Sequence, residues 1–133
     1  MRSKAEEKLQ TLCVKWARAM VGKYPELSAL IHYPAEVGNR SDAKGAMIEG
    51  AKMKRLGKAK GFPDLFLPVP KGGYGGLFIE LKAKKGEFGA KTDGKLSVEQ
   101  ESWLAFLNKQ GNLAVMIDNF EDFKKVVEEY LNK

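Results

Sequence analysis

One α/β domain, a small mixed β-sheet flanked by helices, is the fold class that three observations predict. Apolar residues recur at helical spacing at both ends of the chain, three short apolar runs of strand length (DLFL, GLFIELKA and LAVMI) lie between them, and capping and glycine signals separate the pieces in the order ααββαβα. A length of 133 residues suits a single domain spanning 1–133; a chain of that size buries roughly two thirds of its unfolded surface and needs no covalent staple.

The elements follow in order. Leu9, Leu12, Cys13, Trp16 and Met20 keep helical spacing and Gly22 with Pro25 supplies a stop, so a first helix is expected over about 4–21. The loop YPELSALIHYPAEVGNR follows, with a short extended piece around Leu30 to Tyr33. Ser41 can cap a second helix running to Leu56 and ending at Gly57; its apolar residues (Ala43, Ala46, Met47, Gly50 and Ala51) form a thin face that packs closely or weakly. DLFL (64–67) and GLFIELKA (76–83) read as strands joined by the glycine-rich KGGYGG reversal, and are expected to pair antiparallel. GEFGAKTDGK is polar, glycine-punctuated and expected to be mobile. SVEQESWLAFLNKQG makes a third helix capped by Ser97 and closed by Gly111, LAVMI (113–117) a fully buried strand, and NFEDFKKVVEEYL a fourth helix. The stripe of Phe120, Phe123, Val127 and Tyr130 on that last helix is assigned to internal packing ahead of a subunit interface. Trp16 and Trp103, both on apolar stripes, and Cys13 are assigned to the core.

Composition removes several classes of function. One cysteine leaves no internal disulfide and no cysteine-cluster zinc site, and one histidine, His32, disfavours a histidine-rich metal site or a Ser-His-Asp triad, so a metal here would be held by oxygen. The charged start MRSKAEEKLQ and the lack of a bilayer-length apolar run predict a soluble, cytoplasmic protein with no membrane partner. The net charge of +6 suits a polyanionic partner. It is unevenly spread: residues 40–60 hold Arg40, Lys44, Lys52, Lys54, Arg55, Lys58 and Lys60 against Asp42 and Glu49, whereas the last stretch from Asp118 holds five acids and three lysines.

The residues that carry chemistry sit on the two central strands. Side chains two apart on a strand share a face, so Phe78, Glu80 and Lys82 point one way and Leu77, Ile79 and Leu81 the other. If DLFL pairs with this strand, Asp64 meets Glu80 at one edge of the sheet with Lys82 one pleat further. Two carboxylates converging near a low-dielectric sheet repel unless a cation lies between them, and magnesium prefers such hard oxygen ligands together with phosphate oxygens and water. An adjacent ammonium can position the attacking water or offset charge on phosphorus, which together makes a phosphodiester hydrolysis site. Glu-x-Lys or Pro-Asp alone would be read as a solvated rung or a turn; their combination on consecutive strands of a basic protein carries the inference.

The first helix offers a third acid. Glu6 lies about 64° from the centre of the apolar stripe and Glu7 about 164° away, so Glu6 borders the buried face and Glu7 points to solvent, with Gln10 one turn beyond Glu6 on the same flank. Both glutamates would also suit a helix N-terminus. Gln100 completes a capping box with Ser97, which explains it without a site, although a helix N-terminus aimed at the sheet also offers N–H groups to phosphate.

GFPDLFLP, then GLFIELKAKKG, then SVEQ, preceded by an EEKLQ helix, resembles the VRR-NUC domain, a branch of the PD-(D/E)XK or restriction-endonuclease-like nucleases, from Glu6 through the fourth helix. The resemblance implies a restriction-endonuclease-like core and Mg2+- or Mn2+-dependent hydrolysis of DNA phosphodiesters. Carried over by residue, it makes Glu6, Asp64, Glu80, Lys82 and Gln100 the catalytic set. Asp64 and Glu80 would bind metal with the Leu81 carbonyl, Glu6 would act through water, and Lys82 would orient or activate the nucleophilic water. Stand-alone domains of this size resemble virus-type replication and repair nucleases that act as homodimers on branched DNA such as four-way junctions, which implies a bacterial or phage-infected host cell. The loop YPAEVGNRS departs from the shorter Pro-Asn-Gly-Gly type turn of the family and leaves His32, Asn39 and Arg40 without a carried-over role; His32 is read as a loop histidine. Arg40 and Lys54, with Lys44, Arg55, Lys58 and Lys84, are the expected DNA contacts, because exposed lysines and arginines supply most sequence-independent affinity. A non-catalytic DNA-binding module and a subunit of a larger repair complex are the competing readings.

Overall fold

The computed structural model describes residues 3–34 and 43–133. Helix α1 (Lys4–Ala19) starts at Ser3, whose Oγ accepts from the Glu6 amide, so Glu6 is held in the first turn by the cap itself. A 3-10 turn (Pro25–Ala29) leads into a two-residue strand, β1 (Ile31–His32), where the extended piece was expected. Helix α2 (Ala43–Arg55) ends in a Schellman arrangement: the Lys58 amide donates to the Met53 carbonyl and the Gly57 amide to that of Lys54. Gly57, at φ +101°, takes the left-handed turn that this closure needs. Its proposed cap, Ser41, lies outside the described residues.

Strands β2 (Leu65–Leu67), β3 (Leu77–Leu81) and β4 (Leu113–Ile117) complete a four-stranded sheet in the order β1-β2-β3-β4. The β1-β2 and β2-β3 pairings are antiparallel and β3-β4 is parallel, so the sheet is mixed and the expected pairing of the two central strands is observed. The crossover from β3 to β4 is made by α3 (Val98–Lys109), and α4 (Phe120–Leu131) closes the chain. Among the described residues no helix is long and apolar enough to cross a membrane.

Two apolar layers hold the sheet. Leu65, Leu67, Leu77, Ile79, Leu81 and Ile117 pack on Leu9, Cys13 and Ala17 of α1 and on Phe123, Val127 and Tyr130 of α4. The stripe on α4 is therefore internal, and the Tyr130 hydroxyl is satisfied by the Val69 carbonyl at 2.6 Å. On the opposite face Phe78, Ala114 and Leu107 pack with Phe62, Phe66, Trp103 and Leu104 under α3. Both tryptophans pack against these cores, Trp16 edge-on to Phe123 and Trp103 edge-on to Phe62, with the Trp103 indole N–H donating to the Lys60 carbonyl. Cys13 is fully buried, and that burial pushes its thiol up to about 12.

One expectation needs correction. LAVMI is not fully buried: β4 is an edge strand, and Met116 is 40% exposed because the cluster under α3 takes in Phe78 and Ala114 but not Met116 at the sheet edge. Helix α2 packs weakly, one of the two outcomes expected of its thin face, and Met47, Ile48 and, just past its end, Leu56 are largely exposed, since its small residues offer little to bury.

Candidate active site

Four charged residues are buried among the described residues: Glu6 (8% exposed), Asp64 (2%), Glu80 (3%) and Lys82 (9%). They are the acids and the lysine that the sequence singled out. Burying charge is costly unless it is paired or given a ligand, so four such groups in one small domain need a reason.

The fold explains how they meet. The β2-β3 register pairs Leu65 with Ile79, so the residue before β2, Asp64, falls opposite Glu80. Strand β2 has not yet begun there, and the Asp64 side chain replaces the missing ladder partner: its Oδ2 accepts from the Leu81 amide at 2.8 Å. That bond fixes the carboxylate beside β3 and leaves the Leu81 carbonyl on the same stretch. Asp64 is also held through its backbone, whose carbonyl accepts from the Tyr33 amide at 2.9 Å and lies 3.0 Å from Nδ1 of His32. With its proton on Nδ1 the ring donates to that carbonyl. Nε2 of Gln10 lies 2.9 Å from the same nitrogen and can donate to it in the other tautomer, so helix α1 and the Asp64 backbone both contact His32 on strand β1.

Glu6 arrives from α1, its Oε1 3.7 Å from Nζ of Lys82, both side chains about nine-tenths buried. The wheel placed Glu6 at the margin of the apolar stripe; the structure buries it more deeply. The buried set on α1 is Ala5, Glu6, Leu9, Cys13 and Ala17, centred about 30° closer to Glu6 than the stripe of large apolar residues. Small alanines let that flank approach the sheet, and Leu12 is displaced to the rim at 36% exposure. Glu7 is exposed, as expected.

Gln100 occupies the first turn of α3, where its Oε1 accepts from the Ser97 amide while the Ser97 Oγ accepts from the Gln100 amide. The capping box is thus formed. Gly61 sets how this helix end lies against the chain leading to Asp64. It has φ +86°, and a Cβ there would fall 2.7 Å from backbone and side-chain carbons of Glu99. That close approach has no signature beyond a glycine ahead of Phe-Pro-Asp, and the sequence alone did not show it. His32, read as a loop histidine, lies in the expected extended piece, and its contact with the Asp64 carbonyl joins residues too far apart in sequence for any local pattern to show.

The basic residues fare unequally. Lys44, Lys54 and Arg55 are exposed along α2, and Lys84 is half-exposed with its Nζ 3.7 Å from Asp118. The Lys58 ammonium points inwards and is buried with no hydrogen-bond partner among the described residues, so it is placed differently from its neighbours. Arg40 lies outside the described residues.

The four buried side chains carry three negative charges and one positive, an excess that a divalent cation would offset. Among the described residues no group of three or more His, Cys, Asp or Glu is arranged to hold a metal ion. Two carboxylates on adjacent strands and a backbone carbonyl instead make the sparse oxygen set that suits a cation keeping several waters, as magnesium does.

The model of the VRR-NUC domain matches residues 5–118. Among solved structures, a protein described as a VRR_NUC domain protein superposes with a TM-score of 0.75 at 25% sequence identity, covering 99% of this chain and 92% of the other. A search of curated proteins finds no match. The mixed four-stranded sheet flanked by helices is that of the restriction-endonuclease-like fold. A family match over most of the chain, a solved neighbour of the same description and the same fold agree, and the chain belongs to the VRR-NUC family of nuclease domains.

Proposed function

We propose that this protein is a metal-dependent DNA endonuclease that hydrolyses phosphodiester bonds with Mg2+ or Mn2+, acting as a cytoplasmic homodimer on branched DNA such as four-way junctions. The observation that carries the reading is the burial of Asp64, Glu80, Lys82 and Glu6 at one end of the β2-β3 pair. A protein that only bound DNA would gain nothing from buried carboxylates beside phosphates, which they repel.

The residues divide the work by position. Asp64 and Glu80, with the Leu81 carbonyl, would hold the cation, and Glu6 would reach it through a water. When bound, the cation polarises a phosphoryl oxygen and makes a coordinated water more acidic. The Leu81 amide keeps the Asp64 carboxylate turned towards β3. Lys82, tethered by Glu6, presents its ammonium from the residue after β3 and orients the attacking water while offsetting charge on phosphorus. Gln100 stands at the N-terminus of α3, whose first amides favour an anion. Exposed Lys44, Lys54 and Arg55 draw the backbone in, and the uncovered Met47, Ile48 and Leu56 are an apolar surface that a second copy would cover.

The test is incubation of purified protein with end-labelled duplex, flap and four-way-junction DNA, with magnesium and then with excess EDTA. Cleavage with magnesium and none with EDTA is expected, fastest on the junction. No metal-dependent cutting of any substrate would overturn the reading, and equal rates on all three would remove the branch preference alone.

A further inference from the structure

The exposed side of α1 carries charge that the catalytic reading does not use. At 100° per residue, Lys4, Lys8, Thr11, Lys15 and Arg18 fall within an arc of about 80°, opposite the buried Cys13, so four cations share one stripe. Glu7 is the acid at its margin. Lys15 and Arg18 make no ion pair among the described residues, whereas Lys60, Lys71, Lys82, Lys84 and Lys124 each have a carboxylate within 4 Å. Unpaired, outward cations in a row are free to meet an external anion.

The stripe borders a concavity. Glu7, Gln10, Thr11, Val14, Lys15, Arg18 and His32 line a cleft of about 530 Å³ between α1 and β1. Its floor reaches the catalytic support, because Gln10 contacts His32 and His32 contacts the Asp64 carbonyl. The axial rise from Glu6 is about 13 Å to Lys15 and about 18 Å to Arg18. One strand of B-form DNA advances about 3.4 Å per phosphate, so these cations lie four to five nucleotides from the scissile position along that axis.

We propose that the α1-β1 cleft is a second nucleic-acid contact, in which Lys15 and Arg18, with Thr11 and His32 beside them, hold backbone phosphates of the DNA whose bond is cut at Asp64 and Glu80. It rests on the nuclease reading and adds a face that α2 does not supply. The cleft grips phosphate and reads no base: its cations contact the sugar-phosphate backbone and its one nearby acid repels it, which selects for charge density and position. Because Gln10 and His32 couple the cleft to Asp64, strand engagement there fixes the register of the scissile phosphate over the carboxylates.

The experiment measures binding of a labelled four-way junction and a labelled duplex in EDTA, by fluorescence anisotropy over a salt series. Lys15→Ala/Arg18→Ala is compared with wild type, with the charge-conserving Lys15→Arg/Arg18→Lys, and with Lys109→Ala/Lys125→Ala, which removes the same charge elsewhere. Expected are a loss of affinity on the order of tenfold for the cleft variant and a slope of log K against log salt shallower by about 1.8, two contacts at 0.9 each. The conservative pair keeps the wild-type slope. Equal losses in the cleft and distant variants, or a wild-type slope in Lys15→Ala/Arg18→Ala, overturn the cleft while leaving wild-type binding and cleavage intact. A wild type that binds no DNA overturns both the cleft and the nuclease reading.

Discussion

At the scale of the residue, the site depends on how Asp64 is fastened. Its Oδ2 accepts from the Leu81 amide, so removing the side chain would strand a buried N–H at a cost of about 1–3 kcal/mol. Asp64→Ala therefore mixes a folding defect with a catalytic one. Asp64→Asn keeps an amide oxygen for that bond and removes the charge, so it should retain the wild-type melting temperature within a few degrees while cleavage falls by roughly 10² or more. Lys82→Ala should lose cleavage to a similar degree and also lose stability, because Glu6 is then buried without its ammonium. Melting curves beside junction-cleavage rates check both variants. A cleaving Asp64→Asn would remove that carboxylate from the metal role. Cys13 belongs at this scale for the opposite reason: fully buried and held as a thiol, it is packing material and no nucleophile.

Between elements, the informative contact is glycine against helix. Gly61 and Gly57 both take positive φ, +86° and +101°, so an alanine at either meets the left-handed penalty of about 1–2 kcal/mol. They differ in space. A Cβ on Gly61 would strike Glu99 at 2.7 Å and the Gln100 amide at 2.9 Å, whereas one on Gly57 meets nothing within 4 Å. Gly61→Ala should thus cost about 2–4 kcal/mol once overpacking is added, and Gly57→Ala about half of that. Denaturant unfolding of the pair checks it, and equal costs would mean that the approach of this turn to α3 contributes nothing. The contrast also shows what pattern reading can reach. The wheel that chose Glu6 over Glu7, the alternation that grouped Glu80 with Lys82, and the capping box at Ser97 are local geometry, so they were legible along the chain. The fit of Gly61 against α3, the reach of His32 to the Asp64 carbonyl and the exposure of Met116 depend on neighbours distant in sequence, and no periodicity encodes them.

For the whole molecule, the question is why a domain of this size tolerates three buried carboxylates against one buried ammonium. The fold was legible because each core strand and helix carries its own apolar period, and two layers then have one sheet to cover. The charge excess works against that packing, and it is placed where β2 and α1 begin and β3 ends, at one end of the sheet. A ligand that neutralises the excess must therefore stabilise the folded state over the unfolded one, in which the same acids are solvated and far apart. At ten times its dissociation constant, a cation that binds only the native state adds about 1.4 kcal/mol. For a chain of this length that is a rise in melting temperature of about 4–6 °C. Magnesium chloride should produce that rise over sodium chloride of matched ionic strength, and Asp64→Asn/Glu80→Gln should abolish it while raising the metal-free melting temperature, since the doubly neutral variant no longer confines like charges. Scanning calorimetry on wild type and variant, each with and without magnesium, separates the two effects. A magnesium shift of equal size in both proteins would place the cation elsewhere, and no shift in either would show that this excess of buried negative charge is not what a metal ion relieves.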